Sequence, residues 1–251
     1  MREAPQGTQA VIRAIRLLKA FSADRPEPSL QELAAALHLT RTTAHRLLAA
    51  LESEDLVTRH VDRGTYRLGP AAMALGMQAL TGKGLRARVR PLLDALAAET
   101  GETATLEVLA DGQMLILDEA AGGRLISPSG HVGTRWPLHA TATGKLLLAL
   151  VPETRKYLRL PLERYTAATI TDMAALESEL ERARRLGYAT ATEELEEGFS
   201  AVATSIRDSL GRVDAVISLG GATPRLSGKR LAIMGGKLMA AAVNASQARG
   251  T

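Results

Sequence analysis

Between residues 29 and 51 the chain alternates apolar and polar positions with a helical period, twice, around a short corner. Leu30, Leu33, Ala34 and Leu37 fall at i, i+3, i+4 and i+7, and Ala44, Leu47, Leu48 and Leu51 form a second apolar stripe, so each set shares one helix face. Ser29 followed three residues later by Glu32 predicts a capping box at the first helix start. His38-Leu39-Thr40 supplies the corner, with Thr40 placed to cap the second helix. Upstream, Val11, Ala14, Ile15 and Leu18 give a third apolar stripe, enough to complete a three-helix core. Downstream, residues 56–61 and 65–68 are β-favouring runs around Asp62-Arg63-Gly64, a turn whose glycine can take positive φ. Three helices followed by a hairpin predict a winged helix-turn-helix.

Residues 71–80, AAMALGMQAL, are apolar nearly all round, and a helix without a polar face must be buried on several sides. In a segment joining two domains, the same helix of a partner subunit is the expected cover, with burial inside the chain as the alternative. Thr81-Gly82-Lys83-Gly84 then breaks the chain. Val89, Leu92, Leu93 and Leu96 mark a further helix ending near Gly101, which Pro91 either opens or kinks. Strands are predicted at 103–109, 114–119, 124–127, 188–191, 200–207 and 213–219. The last two are joined by Ser209-Leu210-Gly211-Arg212, a hairpin-type connection. Helices are predicted from near Ala140 through Leu150, at 172–186 and at 227–246. Adjacent strands with tight turns imply an antiparallel sheet flanked by helices. The fold class is therefore α+β in two domains: 1–69 winged helix-turn-helix, 70–84 linker helix and break, and 85–251 as the second domain.

The chain has 251 residues, 46% of them hydrophobic and 23% charged, the balance of an ordinary globular protein. No apolar run approaches the ~20 residues of a membrane span, and the N-terminus lacks the apolar core of a signal peptide. Zero cysteines exclude disulfides and thiolate-bound zinc, which fits a cytoplasmic setting. The formal net charge is +4, and residues 1–70 carry ten Lys/Arg against eight Asp/Glu, so bulk charge marks neither half. Placement is more telling. Thr42, Arg46 and Ala49 lie opposite the apolar stripe of the second helix, at ~100° per residue, with His45 beside them and Arg41 at the N-terminal end. Hydroxyls and arginines on the first turns of a short helix suit a DNA major groove. Arg59, Arg63 and Arg67 on the wing can meet phosphates, or Arg63 can enter a minor groove from the tip. Glu52, Glu54 and Asp55 sit at the far end of the helix.

Catalytic chemistry finds no constellation. The segment from Gly133 to Lys145 ends in Gly-Lys, but a phosphate loop requires glycine where His139 stands and a hydroxyl where Leu146 stands. His131 and His139 lack a third acidic ligand, so no metal or other cofactor is expected. Glu193, Glu194, Glu196 and Glu197 read as a solvated acidic face. No G-x-S-x-G elbow appears. In HATATGKLLLAL, Thr141, Thr143 and the amides around Ala142–Lys145 open a helix. That start either holds a carboxylate or simply caps the helix well.

The chain resembles the IclR family of bacterial transcriptional regulators. The matching segments are VIRAIRLLKAF at 11–21, LQELAAALHLTRTTAHRLLAALE at 30–52 and GTYRLGP at 64–70. In the second domain they are GTRWPLHATATGKLLLAL at 133–150, RRLGYATATEE at 184–194 and GRVDAVISLGG at 211–221. The resemblance implies a regulator of catabolic operons with a GAF-like effector-binding domain, and no enzyme. Its expected partners are a double-stranded DNA operator, a small organic acid or aromatic effector, and further copies of itself as a homodimer or dimer of dimers. The expected DNA-facing set is Arg13, Thr40, Arg41, Thr42, Thr43, His45, Arg46, Arg59, Arg63, Tyr66 and Arg67.

By the same likeness the effector pocket involves Ala142, Thr143, Thr192, Ala201, Ser218 and Gly220. Acid-binding members often carry an acid, a cysteine and a serine where Thr192, Ala201 and Gly220 stand. The three substitutions suggest a less polar or larger effector, such as an aromatic compound, with Trp136 as a seventh pocket residue at its wall; the alternative for Trp136 is core or interface packing. The rival readings are a DNA-binding architectural protein with a degenerate pocket, and a small-molecule enzyme whose first helices only pack.

Overall fold

The computed structural model describes residues 7–22, 25–81, 84–123 and 131–247, so the strand expected at 124–127 lies outside the described residues. The chain divides into two compact units, 1–82 and 83–251.

The first unit holds α1 (Gln9–Lys19), α2 (Leu30–Ala36), α3 (Arg41–Ser53), the hairpin β1 (Val57–His60) and β2 (Thr65–Leu68), and α4 (Pro70–Thr81). At the start of α2 the Ser29 hydroxyl accepts the Glu32 backbone N–H while the Glu32 carboxylate accepts that of Ser29, a reciprocal capping box. Thr40 caps α3 by accepting the Thr43 N–H. Between the two helices, His38 takes φ 52°, which turns the chain within three residues. Leu17, Leu33, Leu48, Leu51, Val57 and Tyr66 form the core.

The stripe expected on α1 is corrected here. Leu17 is fully buried, flanked by Ala14, Leu18 and Phe21, whereas Val11 and Ile15 are exposed. Positions 14, 17, 18 and 21 carry the same helical spacing as the expected set, rotated by about a sixth of a turn, and α3 receives that face. The hairpin is antiparallel, with Arg59 opposite Tyr66 and Thr58 opposite Arg67, and Gly64 turns it with φ 63°.

In the second unit, six antiparallel strands lie in the order β5-β4-β3-β8-β7-β6. They are β3 (Thr103–Ala110), β4 (Gln113–Ala120), β5 (Arg135–Trp136), β6 (Tyr188–Thr192), β7 (Phe199–Arg207) and β8 (Val213–Ala222). The helices α5 (Leu85–Thr100) and α8 (Gly228–Gln247) pack on one face, through Leu93, Leu96, Leu231 and Leu238 against Leu106, Val202, Ile217 and Leu219. On the other face, α6 (Ala142–Leu150) and α7 (Met173–Leu186) pack through Leu146, Leu148, Leu176 and Leu180 against Met114, Ala189, Ala203 and Val216. Strand alternation separates the two faces. Pro91 lies inside α5, so it does not open that helix.

One irregularity decides what faces the second layer. Leu106 of β3 pairs with Asp118 and Glu107 with Ile116, so Leu117 is an extra residue in β4. In a regular strand Ile116 and Asp118 would share a face. The bulge breaks that period. Ile116 stays on the α6 side, while Asp118 turns to α5 and takes Arg86 at 2.9 Å and Arg90 at 3.1 Å.

Candidate nucleic-acid interface and effector cavity

The exposed face of α3 presents Arg41, Thr42, His45 and Arg46 to solvent. Thr40 and Thr43 have a different role. Their hydroxyls lie 2.8 Å apart and are engaged in capping α3, so they shape the helix start. Arg13 is exposed on α1. Tyr66 is corrected: only 3% exposed, it belongs to the core and cannot reach DNA. Instead its ring carries the Arg59 guanidinium 6.0 Å above its centre. Pairing in the hairpin puts Arg59 and Arg67 on opposite faces, so the two approach different surroundings. Arg63 at the tip is 74% exposed, with the Glu27 carboxylate 3.6 Å away.

In the second unit, the first turn of α6 meets the inner face of the sheet around a cavity of about 70 Å³. Trp136, Ile116, Leu195 and Phe199 give it apolar walls; Thr103, Thr105, Glu107, Thr143, Glu194 and Ser218 give it polar groups. That volume holds several water-sized groups, which suits a compact organic molecule. Six of the seven residues expected in the pocket line it: Trp136, Ala142, Thr143, Ala201, Ser218 and Gly220. Thr192 does not. It is exposed, and Glu194, two residues further along, faces the cavity in its place.

Local packing explains the site's shape. Thr141 caps α6 by accepting the Gly144 N–H over 3.1 Å. A Cβ on Gly144 would sit 2.3 Å from the Leu138 carbonyl oxygen, so only glycine lets the incoming segment 137–140 lie on the helix start. A Cβ on Gly220 would fall 2.5 Å from the Phe199 ring, so the missing side chain makes room for an aromatic wall. Glu107, 3% exposed, accepts the Thr143 hydroxyl at 2.7 Å and the Thr105 hydroxyl at 2.8 Å. Burial pushes its carboxyl up, with those two hydrogen bonds opposing the shift. The expectation of a solvated acidic face at 193–197 is corrected at Glu194, which is buried and bonded to Lys145. Glu196 and Glu197 are exposed.

Two family models match the chain: the IclR helix-turn-helix domain over residues 10–60 and the bacterial transcriptional regulator IclR C-terminal domain over residues 77–247. The chain belongs to the IclR family.

Among similar proteins, the transcriptional regulator BhcR of Paracoccus denitrificans is 35% identical over 239 residues, 94% of this chain and 85% of the relative. The transcriptional repressor IclR of Escherichia coli is 30% identical over 247 residues, 96% of this chain and 90% of the relative. An IclR homologue from Microbacterium hydrocarbonoxydans, crystallised with 4-hydroxybenzoate, superposes with a TM-score of 0.80 at 28% identity, covering 95% of this chain and 98% of the homologue. This IclR-family chain is a DNA-binding transcriptional regulator and not an enzyme. No helix among the described residues is long and apolar enough to cross a membrane.

Residue-level reading of the sequence missed Thr103, Thr105, Glu107 and Glu194. A signal for the first three was present. In TATLEVLA the polar residues recur at every second position, marking one face of a strand, and a glutamate on such a face is unusual unless something polar meets it. Glu194 carried no such signal, because its cover comes from Lys145, 49 positions away.

Proposed function

We propose that this chain is a ligand-responsive regulator whose operator affinity is set by a small organic effector, aromatic or mixed in character, bound in the cavity at the α6 N-terminus. The observation that carries this reading is a buried polar floor, Glu107 with Thr105, Thr143 and Ser218, beneath apolar walls that include Trp136 and Phe199. A few polar groups converging in an apolar pocket fix a ligand's orientation. A homologue of similar fold holding an aromatic hydroxy acid supports the same class. The cavity is not depleted of polar groups, which disfavours a degenerate pocket.

The working unit is a homodimer or dimer of dimers acting in the cytoplasm, with recognition helices about 34–36 Å apart or a multiple of that on a pseudo-palindromic operator of a catabolic operon. The apolar α4 supports self-association: Met73, Leu75 and Met77 are 68%, 59% and 56% exposed in the single chain. The effector acts by binding one DNA-competent arrangement better than another.

Trp136, the sole tryptophan, offers a direct readout. Aromatic acids that alter its emission and also change retention of operator fragments selected from the host genome support the reading. Tight glyoxylate binding with no aromatic ligand found ends the aromatic assignment. A monomer by sedimentation that still binds palindromic DNA removes the dimer.

A further inference from the structure

Three hydroxyls and one carboxyl meet on the floor of the cavity, and their protons can be counted. Thr143 Oγ1 donates to Glu107 Oε2 over 2.7 Å, and Thr105 Oγ1 donates to Oε1 over 2.8 Å. A threonine hydroxyl has a single proton, so the 2.7 Å contact between Thr105 and Ser218 is made with the Ser218 proton. With Glu107 ionised, three internal bonds use all three hydroxyl protons, and the cluster shows a ligand lone pairs alone. Thr141 adds no donor, since its hydroxyl goes to the Pro137 carbonyl at 2.9 Å. One proton on Glu107 makes four donors for three bonds. One O–H is then free for the ligand.

Charge points the same way. Around the cavity, α6 contributes Lys145 and the loop after β6 contributes Glu194, which pair at 2.5 Å, with Glu179 of α7 at 3.9 Å from the same ammonium. From β4 and β8 come Ile116, Ser218 and Gly220, none of them titratable. Across the sheet, Arg86 and Arg90 of α5 are committed to Asp118, and Arg135 of β5 turns to Asp111. Glu107 thus has no cationic partner among the described residues, and burial disfavours its charge. The first-turn amides of α6 attract an anion. They draw it toward Thr143, whose hydroxyl is already spent on Glu107. A carboxylate there beside an ionised Glu107 brings two like charges together out of water.

We propose that Glu107 sets the chemical class of the effector: a carboxylate-bearing effector enters together with one proton, held on Glu107, whereas a neutral effector with a hydroxyl donor binds the ionised form without it. The inference rests on the cavity being the effector site.

Full-length protein is titrated with benzoate and with benzyl alcohol between about pH 5.5 and 9.5, a range above the ordinary carboxylate titration near ~4. Trp136 emission gives affinity, and calorimetry in two buffers of different ionisation enthalpy gives protons taken up. Above the Glu107 titration, benzoate affinity falls about tenfold per pH unit, with up to one proton taken up per benzoate. Benzyl alcohol loses no affinity as pH rises. Glu107→Gln, verified as folded by its thermal midpoint, binds benzoate without the pH slope or the proton. Benzoate binding without proton uptake over the whole range, or an unchanged slope in Glu107→Gln, overturns the proposal. The buffer comparison needs only wild-type protein. If neither probe binds or alters Trp136, the cavity reading itself fails and takes the proposal with it, a different result from binding without protons.

Discussion

Lys145 Nζ lies 2.5 Å from Glu194 Oε1, with side chains only 1% and 9% exposed. The pair fastens the second turn of α6 to the loop after β6, the two elements that meet over the cavity. Burial pushes the Glu194 carboxyl up and Lys145 opposes that shift. Thr166 and Thr169 secure the same loop by donating their hydroxyls to the carbonyls of Glu193 and Glu194, both at 2.6 Å. The cavity wall is therefore held from behind by one ion pair and two hydroxyls.

Lys145→Met leaves Glu194 buried without its cation. Breaking a buried pair from one side costs about 3–5 kcal/mol, so the urea midpoint of the protein drops sharply. Adding Glu194→Leu restores most of that loss, because the uncompensated charge is then gone. A double variant as unstable as the single one contradicts the pairing.

Glu107 makes stability depend on pH in a direction opposite to that of a salt-bridged acid. Its folded carboxyl titrates above the 4.5 of the unfolded chain. Between those values the folded state holds a proton that the unfolded state releases, so stability falls as pH rises through the window. Glu107→Gln removes this dependence. Urea titrations at about pH 5 and pH 8 on both proteins show the wild type losing more stability than the variant. Equal losses would mean that Glu107 titrates normally.

At Gly220 a serine side chain must displace the Phe199 ring, whose Cζ lies 2.5 Å from where a Cβ would stand. Overpacking of this kind costs about 1–3 kcal/mol. Gly220→Ser accordingly lowers the thermal midpoint and weakens an aromatic ligand by roughly tenfold, the scale of one altered pocket contact. Small polar acids lose less. Trp136 emission during titration with each ligand separates the two effects, and uniform weakening would show that Phe199 is not a ligand wall.

On the wing, Arg63 at the hairpin tip is free to exchange Glu27 for a phosphate. Arg63→Ala weakens binding to all DNA sequences alike and reduces the slope of log K against log salt by about 0.9. Glu27→Ala does the opposite at low salt by removing a competing carboxylate. Gel retardation over a salt series measures both, and an unchanged slope in Arg63→Ala removes this residue from the phosphate contacts.

Local pattern carried the winged helix well. Ser29 with Glu32, Thr40 with Thr43, and Gly64 at a turn act over three or four residues, so their spacing in the chain is nearly their spacing in space. The α1 stripe was harder, because residues 11, 14, 15 and 18 and residues 14, 17, 18 and 21 both satisfy a helical period. Only α3 selects between them. Tyr66 illustrates the same limit: β alternation puts it on a face with Arg59, but whether that face meets solvent or the Leu48 core is decided by neighbours. On α4, Met73, Leu75 and Met77 are exposed in the single chain although the segment is apolar nearly all round.

By itself the sequence determined the periods, caps and turns, and with them a winged helix followed by an antiparallel sheet with flanking helices. It also determined which residue types were available to a pocket. Only the tertiary structure decided that Glu107 meets Thr143 across 36 positions and that Lys145 meets Glu194 across 49. It also decided that a bulge at Leu117 sends Asp118 away from the cavity. The physical reason is common to all three. Burial and partnership of a charged side chain depend on what arrives from distant strands and helices, and one extra residue in a strand reverses every face that follows it.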